Sequence, residues 1–197
     1  MKRILSATLV LALALALCTA ASAEVYTHPE AGYSFTVPEG WMVIDGQTAG
    51  SAIDLGIALT DLPDDTKAMI EMVKGTPLVI LVETSTFGGA INFTSQDTGM
   101  AMSVADLLPL ANLFEAQFET QFTNYATTLP MSAVTFGEWE AALMGGEFTL
   151  GGLRQEMRQV IIPVGTVWYI AVLTAEAGEA AEYEPALAEL LSTFSVP

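Results

Sequence analysis

Residues 26–41 read YTHPEAGYSFTVPEGW. Val25 to Thr27 and Tyr33 to Val37 alternate aromatic or branched apolar residues with Thr and Ser, the pattern of half-buried strands. Between them His28-Pro29-Glu30-Ala31-Gly32 places Pro and Gly where a chain reverses, so the two runs form a hairpin. Val37-Pro38-Glu39-Gly40 then sets Pro at the second and Gly at the fourth position of a type I turn, and Trp41-Met42-Val43-Ile44 resumes an extended run.

Further along, Ile53 and Ile57, then Met69, Ile70 and Val73, recur at helical spacing, so two short helices broken near Leu62-Pro63 are expected as a helical insertion in 45–75. Leu78-Val79-Ile80-Leu81-Val82 is a continuous apolar run of strand length, the mark of a strand covered on both faces. Ala90 to Ser95, past Gly88-Gly89, is its hairpin partner. Ser103-Val104-Ala105-Asp106 resembles a capping box, and the stripe Leu107, Ala111, Phe114, Phe118, Phe122, Tyr125 predicts one long helix behind it. After Pro130 three extended runs, about 139–149, 154–162 and 166–174, are separated by Gly151-Gly152 and Pro163-Val164-Gly165, as in an antiparallel meander. Glu184-Pro185 opens a last helix whose Leu187, Leu190, Leu191 and Phe194 share one face. The expected class is α+β, a central antiparallel sheet flanked by helices.

The chain begins with a different kind of segment. Lys2 and Arg3 precede an apolar run from Ile4 to Leu17, and Ala21-Ser22-Ala23 follows, the order of a secretory signal peptide cleaved after Ala23. The run, at about 14 residues, falls short of the roughly 20 a membrane-spanning helix needs. An alternative processing keeps Cys18 as a lipid-anchored first residue, although Leu17 stands where that processing takes Gly, Ala or Ser. Residues 24–197 are then expected to form a single domain.

Composition narrows the function. Hydrophobic residues are 52% and charged residues 15% of the chain, enough apolar material for a packed core. Six Lys and Arg face 23 Asp and Glu, a net charge of −17, which repels nucleic-acid phosphates and anionic headgroups. Cleavage after Ala23 leaves Lys67, Lys74, Arg154 and Arg158 against all 23 acids, or −19, and removes Cys18, so the mature chain has no thiol chemistry.

The hairpin and turn residues Tyr26, Gly32, Tyr33, Phe35, Val37, Pro38, Gly40 and Trp41, with Trp168-Tyr169 and the closing 191–196 as weaker support, resemble the PsbP-like family. That family is named for an extrinsic subunit of the photosynthetic oxygen-evolving complex, and its α/β/α sandwich is shared with the Ran-binding Mog protein. The motif consists of turn and core residue types, so it implies fold and not activity. A subunit that docks on a photosystem is expected to use lysines. Here Lys67 and Lys74 stand on an acidic background, so the resemblance points to exported bacterial relatives without photosynthesis.

Candidate chemistry is sparse. His28 is the one histidine, which excludes multi-histidine zinc sites and leaves a hydrolase triad a single possible base. His28 with Glu30 can form a surface metal site, but a lone His in a Pro-containing turn is ordinarily solvent-exposed and structural. Asp61, Asp64 and Asp65 supply oxygen ligands for a cation such as Ca, Zn or Mn, yet lack the spacing of an EF-hand, and helix capping explains them equally. Glu138, Glu140 and Glu147 raise a carboxylate-dependent hydrolase, against their ordinary reading as solvent-facing strand residues. Met100 and Met102 are a bare thioether pair, explained as packing. Arg154 and Arg158 fall on one face of a strand with Glu156 between them, placed to grip a partner's or ligand's anion or to pair with an acid across the sheet. Gly145-Gly146 and Gly151-Gly152 match no phosphate loop, and Gly46-x-Thr48-x-Gly50 lacks the serine of a nucleophile elbow. The balance favours a non-enzymatic envelope or extracellular module that binds another protein without a cofactor, with a divalent-cation or small-ligand binder as the alternative.

Overall fold

The computed structural model of the chain describes residues 24–45 and 78–197. The segments 1–23 and 46–77, and with them the signal-peptide reading, the helical insertion, Asp61, Asp64, Asp65 and the Gly46–Gly50 stretch, lie outside the described residues.

Strands β1 (Val25–Thr27) and β2 (Ser34–Thr36) pair antiparallel as a separate two-stranded ribbon. The remaining strands build a seven-stranded antiparallel sheet: β3 (Trp41–Ile44), β4 (Val79–Glu83), β5 (Gly89–Asp97), β6 (Thr123–Phe136), β7 (Trp139–Leu150), β8 (Leu153–Val164) and β9 (Val167–Glu176). Their order is β3-β4-β5-β9-β8-β7-β6, so among the described residues β3 and β6 are the edges. The hairpins expected at β1–β2, β4–β5 and through β7–β9 are present.

Alternation sorts the sheet into two faces. One carries Val79, Leu81, Ile91, Phe93, Val160 and Leu173, all buried against helix α3 (Ala180–Ser192) and the aromatic ribbon. Leu187, Leu190, Leu191 and Phe194 of the closing segment are buried here, as their spacing implies. Tyr33, Phe35, Phe93 and Phe194 meet with ring centroids 5.0–6.4 Å apart. Each such burial contributes on the order of 1.5–3 kcal/mol. The backbone bridge between Ser34 and Ser195 and the bond from Trp139 Nε1 to the Phe194 carbonyl, 2.8 Å, fasten the C-terminus over this layer.

The opposite face presents Ala142, Met144, Phe148, Met157 and Ile161 to α1 (Val104–Leu107), a 3-10 turn (Leu108–Leu110) and α2 (Ala111–Gln121). Asp106 starts α1 by accepting bonds from the Ser103 N–H at 2.8 Å and hydroxyl at 2.6 Å.

Three elements depart from the sequence reading. The single long helix is instead α1, a 3-10 turn around Pro109 and α2, and it ends at Gln121; Tyr125 belongs to β6. Phe122 and Tyr125 still pack beneath the helix because β6 folds straight back along the same face. The second departure is β6 itself, a 14-residue strand that spans Pro130. Its mostly exposed side chains give no period-two signal, and an edge strand tolerates the missing N–H of a proline. Third, α3 begins at Ala180, so Pro185 lies inside it rather than at its start.

Candidate interaction surface

One end of the sheet gathers exposed apolar groups. In the β4–β5 loop Glu83 accepts bonds from the Ser85 N–H at 2.6 Å, the Thr86 N–H at 2.8 Å and the Thr86 hydroxyl at 2.6 Å. Slight desolvation opposes ionisation, but these bonds outweigh it and pull the Glu83 carboxyl from 4.5 to about 2. The loop so held presents Phe87 at φ 57°, a left-handed conformation that bulky residues avoid, with its side chain exposed. Gly88 and Gly89 come next, and a Cβ on Gly89 would lie 2.7 Å from the Tyr183 ring, so the loop's exit needs a glycine there.

At the same end the β7–β8 hairpin turns on Gly151 and Gly152, φ 59° and 86°, between the paired Leu150 and Leu153. Both leucines are more than 60% exposed. They continue the apolar stripe of Phe148 and Met157 past the end of α2. Asn124, the other non-glycine residue with positive φ, sits beside Thr149 of this hairpin, its amide 3.4 Å from the Thr149 hydroxyl. The register Gly89↔Ala175 and Gln155↔Glu176 places both loops at one end of the sheet.

On the α3 face Arg158 is nearly enclosed. Its Nη1 lies 2.7 Å from Glu156 Oε1, its Nε 2.7 Å from Glu184 Oε1, and Nη1 also donates to the Met157 carbonyl at 3.1 Å. Desolvation works against the charge, but the two carboxylates outweigh it and raise the guanidinium above its ordinary value. Gly145 makes the room: a Cβ there would lie 2.7 Å from the Met157 carbonyl oxygen and 3.1 Å from Arg158 Cδ and Nη1. Arg158 and Glu184 border a hollow of about 320 Å³ between α3 and the β6 edge, walled by Val134, Phe136, Leu143 and Leu187.

The other sequence candidates disperse. His28 is buried, not exposed: its ring lies 5.0 Å from that of Tyr33, and its Nδ1 accepts the N–H groups of Ala31 at 3.0 Å and Glu30 at 3.3 Å. The His28 side chain thus closes the β1–β2 turn, while the Glu30 side chain is exposed. Arg154 pairs with Glu147 across the β7–β8 hairpin. Glu138 lies in the β6–β7 turn, and Glu140 and Glu147 fall on opposite faces of β7, so these three carboxylates do not converge. Met102 packs against the α1 cluster while Met100 is exposed. Among the described residues no group of three His, Cys, Asp or Glu side chains is placed to hold a metal ion, and no helix is long and apolar enough to cross a membrane. The apolar end escaped the sequence reading, although Leu-Gly-Gly-Leu at 150–153 carried its signal: leucines directly flanking a tight turn leave no strand length to bury them.

No family model matches the chain, and no curated protein matches it in sequence. Solved structures do match. The cyanobacterial PsbP (CyanoP) of Synechocystis sp. PCC 6803 aligns with TM-score 0.58 at 10% identity over 92% of this chain and 96% of its own. The Ran-binding protein Mog1p of Saccharomyces cerevisiae aligns with TM-score 0.53 at 13% identity over 90% and 96%. LpqN of Mycobacterium tuberculosis, involved in cell envelope biogenesis, aligns with TM-score 0.51 at 14% identity over 88% and 90%. The chain spans 49% of the length of a Bacteroides thetaiotaomicron protein that it also matches. The seven-stranded antiparallel sheet with helices on both faces, together with alignments that span nearly the whole length of CyanoP and Mog1p, gives this chain the PsbP/Mog-like α+β fold.

Proposed function

We propose that the chain is an exported accessory protein of the cell envelope that works by binding another protein and not by catalysis. The observation that carries this reading is the set of exposed Phe87, Leu150 and Leu153 on two loops at one end of the sheet. Exposed apolar groups on rigidly held loops mark contact surfaces, and backbone strain such as that at Phe87 and Asn124 concentrates where function requires it. Exposed Glu119, Glu176 and Glu182 lie towards the same end, so the surface suits an apolar pocket with a basic rim. The binding and envelope roles printed for Mog1p and LpqN support the reading by analogy of fold alone. Export rests on the basic, apolar and small-residue order of 1–23, which leaves 24–197 as the mature domain.

The test is photo-crosslinking in cells that produce the full chain, with the probe residue at Leu153 or at Leu113, which are 67% and 66% exposed. A discrete adduct at 153, missing at 113 and lost on Phe87→Ser, is the expected outcome. Equal labelling at both positions, or none at 153, overturns the reading. N-terminal sequencing of the exported product checks cleavage after Ala23.

A further inference from the structure

The outer edge of β6 is free along its whole length among the described residues, and no backbone hydrogen bond reaches it from any other element. Exposed edges are normally blunted. In β6 the register shifts and Pro130 do this between Thr123 and Ser132, whereas pairing from Ser132↔Leu143 to Phe136↔Trp139 runs without interruption. The last five residues of β6 therefore form a straight, uncharged and unpaired edge.

Their polar groups can be assigned. Gly137 has φ 57° and Glu138 is not in the left-handed region, the pattern of a type II′ turn, which makes Phe136 and Trp139 the pair that exchanges both hydrogen bonds. Bonding alternates along the strand, so Phe136 and Val134 bond to β7 while Thr135 and Ala133 turn their N–H and C=O groups outward.

A hollow lies on each side of this stretch. One, about 230 Å³, is bounded by Val104, Leu108, Ala133 and Glu140 on the α1 side. The other is the hollow of about 320 Å³ on the α3 side, with Phe136, Leu187 and Glu184. Successive side chains of a paired strand point to opposite faces, so one added strand would lay its side chains alternately over the two hollows. The α1-side hollow sets the exposed Glu140 beside its apolar wall, whereas in the α3-side hollow Glu184 is paired with Arg158 beside the apolar wall, in a chain of net charge −17.

We propose that β6, between Ser132 and Phe136, receives an extended segment of another protein that carries both basic and apolar side chains, added as an eighth strand of the sheet. Charge selects the occupant. A second copy of this chain would bring −17 against −17, and its own β6 carries no cation to offset that repulsion. This surface is separate from the apolar loop end, so either proposal can fail alone.

The experiment adds a ten-residue alternating Lys-Val peptide to the full chain and reads fluorescence anisotropy and amide hydrogen exchange. Expected are binding and slowed exchange at Ala133 and Thr135. The same peptide N-methylated at alternate residues, unchanged in charge, should bind at least about tenfold more weakly because it cannot complete the ladder. Thr135→Pro removes an outward N–H, which an edge strand tolerates, and should abolish binding. Glu140→Lys, an exposed change on the surface of β7, should weaken it several-fold. Equal affinity for the N-methylated peptide overturns the proposal, as does exchange protection elsewhere than β6. Protection of β6 by self-association without peptide overturns it in favour of a second copy.

Discussion

Glu83 and Gly146 show how far single side chains govern this molecule. Because Glu83 ionises near 2 in the folded loop against 4.5 for the free group, its contribution to stability is complete above about pH 4.5 and disappears as pH falls towards 2. Glu83→Gln, which does not titrate, should therefore be less stable than the parent at neutral pH, with the gap closing across that window. Urea midpoints at pH 2.5, 4 and 7 measure it, and a gap independent of pH would show that the loop bonds do not depend on the charge. A Cβ on Gly146 would lie 2.6 Å from the Tyr125 ring, so Gly146→Ala should cost about 1–3 kcal/mol in chemical denaturation as the Tyr125 ring is displaced from its seat on β7. The Gly145-Gly146 pair was visible in the sequence as a pair of small residues with no motif. Their role as seats for Arg158 and Tyr125 depends on which strands lie beside β7, information that the local sequence does not carry.

At the level of elements, α3 and β6 mark the limits of local pattern. Pro185 sits in the body of α3, where it cannot donate to the carbonyl of Ala181, yet the helix persists because Leu187, Leu190 and Leu191 are buried on the sheet. Tertiary burial outweighs the broken bond. Pro185→Ala should stabilise the protein by about 1–2 kcal/mol, the restored bond being partly offset by a freer unfolded chain. A lowered melting temperature for this variant would mean that the proline ring itself packs usefully. Strand β6 is the converse case. Strands β4 and β9 announce themselves by apolar residues on both faces and β5 by the alternation of Ile91 and Phe93 with polar neighbours, but β6 borders solvent and its composition reads as loop. The stripe from Leu107 to Tyr125 was genuine as a list of residues that meet one surface. It misled only about the backbone, since a helix and the strand returning beneath it feed the same apolar layer.

For the whole molecule the dominant long-range quantity is charge. With 23 acids against six bases, like-charge repulsion opposes compaction, so raising NaCl from about 10 mM to about 150 mM, which shortens the screening length from about 30 Å to about 8 Å, should raise the melting temperature by a few degrees. A fall would show that ion pairs such as Arg158 with Glu156 and Glu184 outweigh the repulsion. Hairpins, the meander, the apolar faces of β4 and α3, the acid excess and the α+β class were all determined by the sequence alone, because turn chemistry and side-chain periodicity are properties of neighbours along the chain. Only the tertiary structure decided that β6 is an edge, that Phe87, Leu150 and Leu153 share one end, that His28 is buried and that Arg158 lies enclosed beneath α3. Each of these depends on which distant segment covers or fails to cover a surface. Periodicity states that a face must be buried and does not say by what.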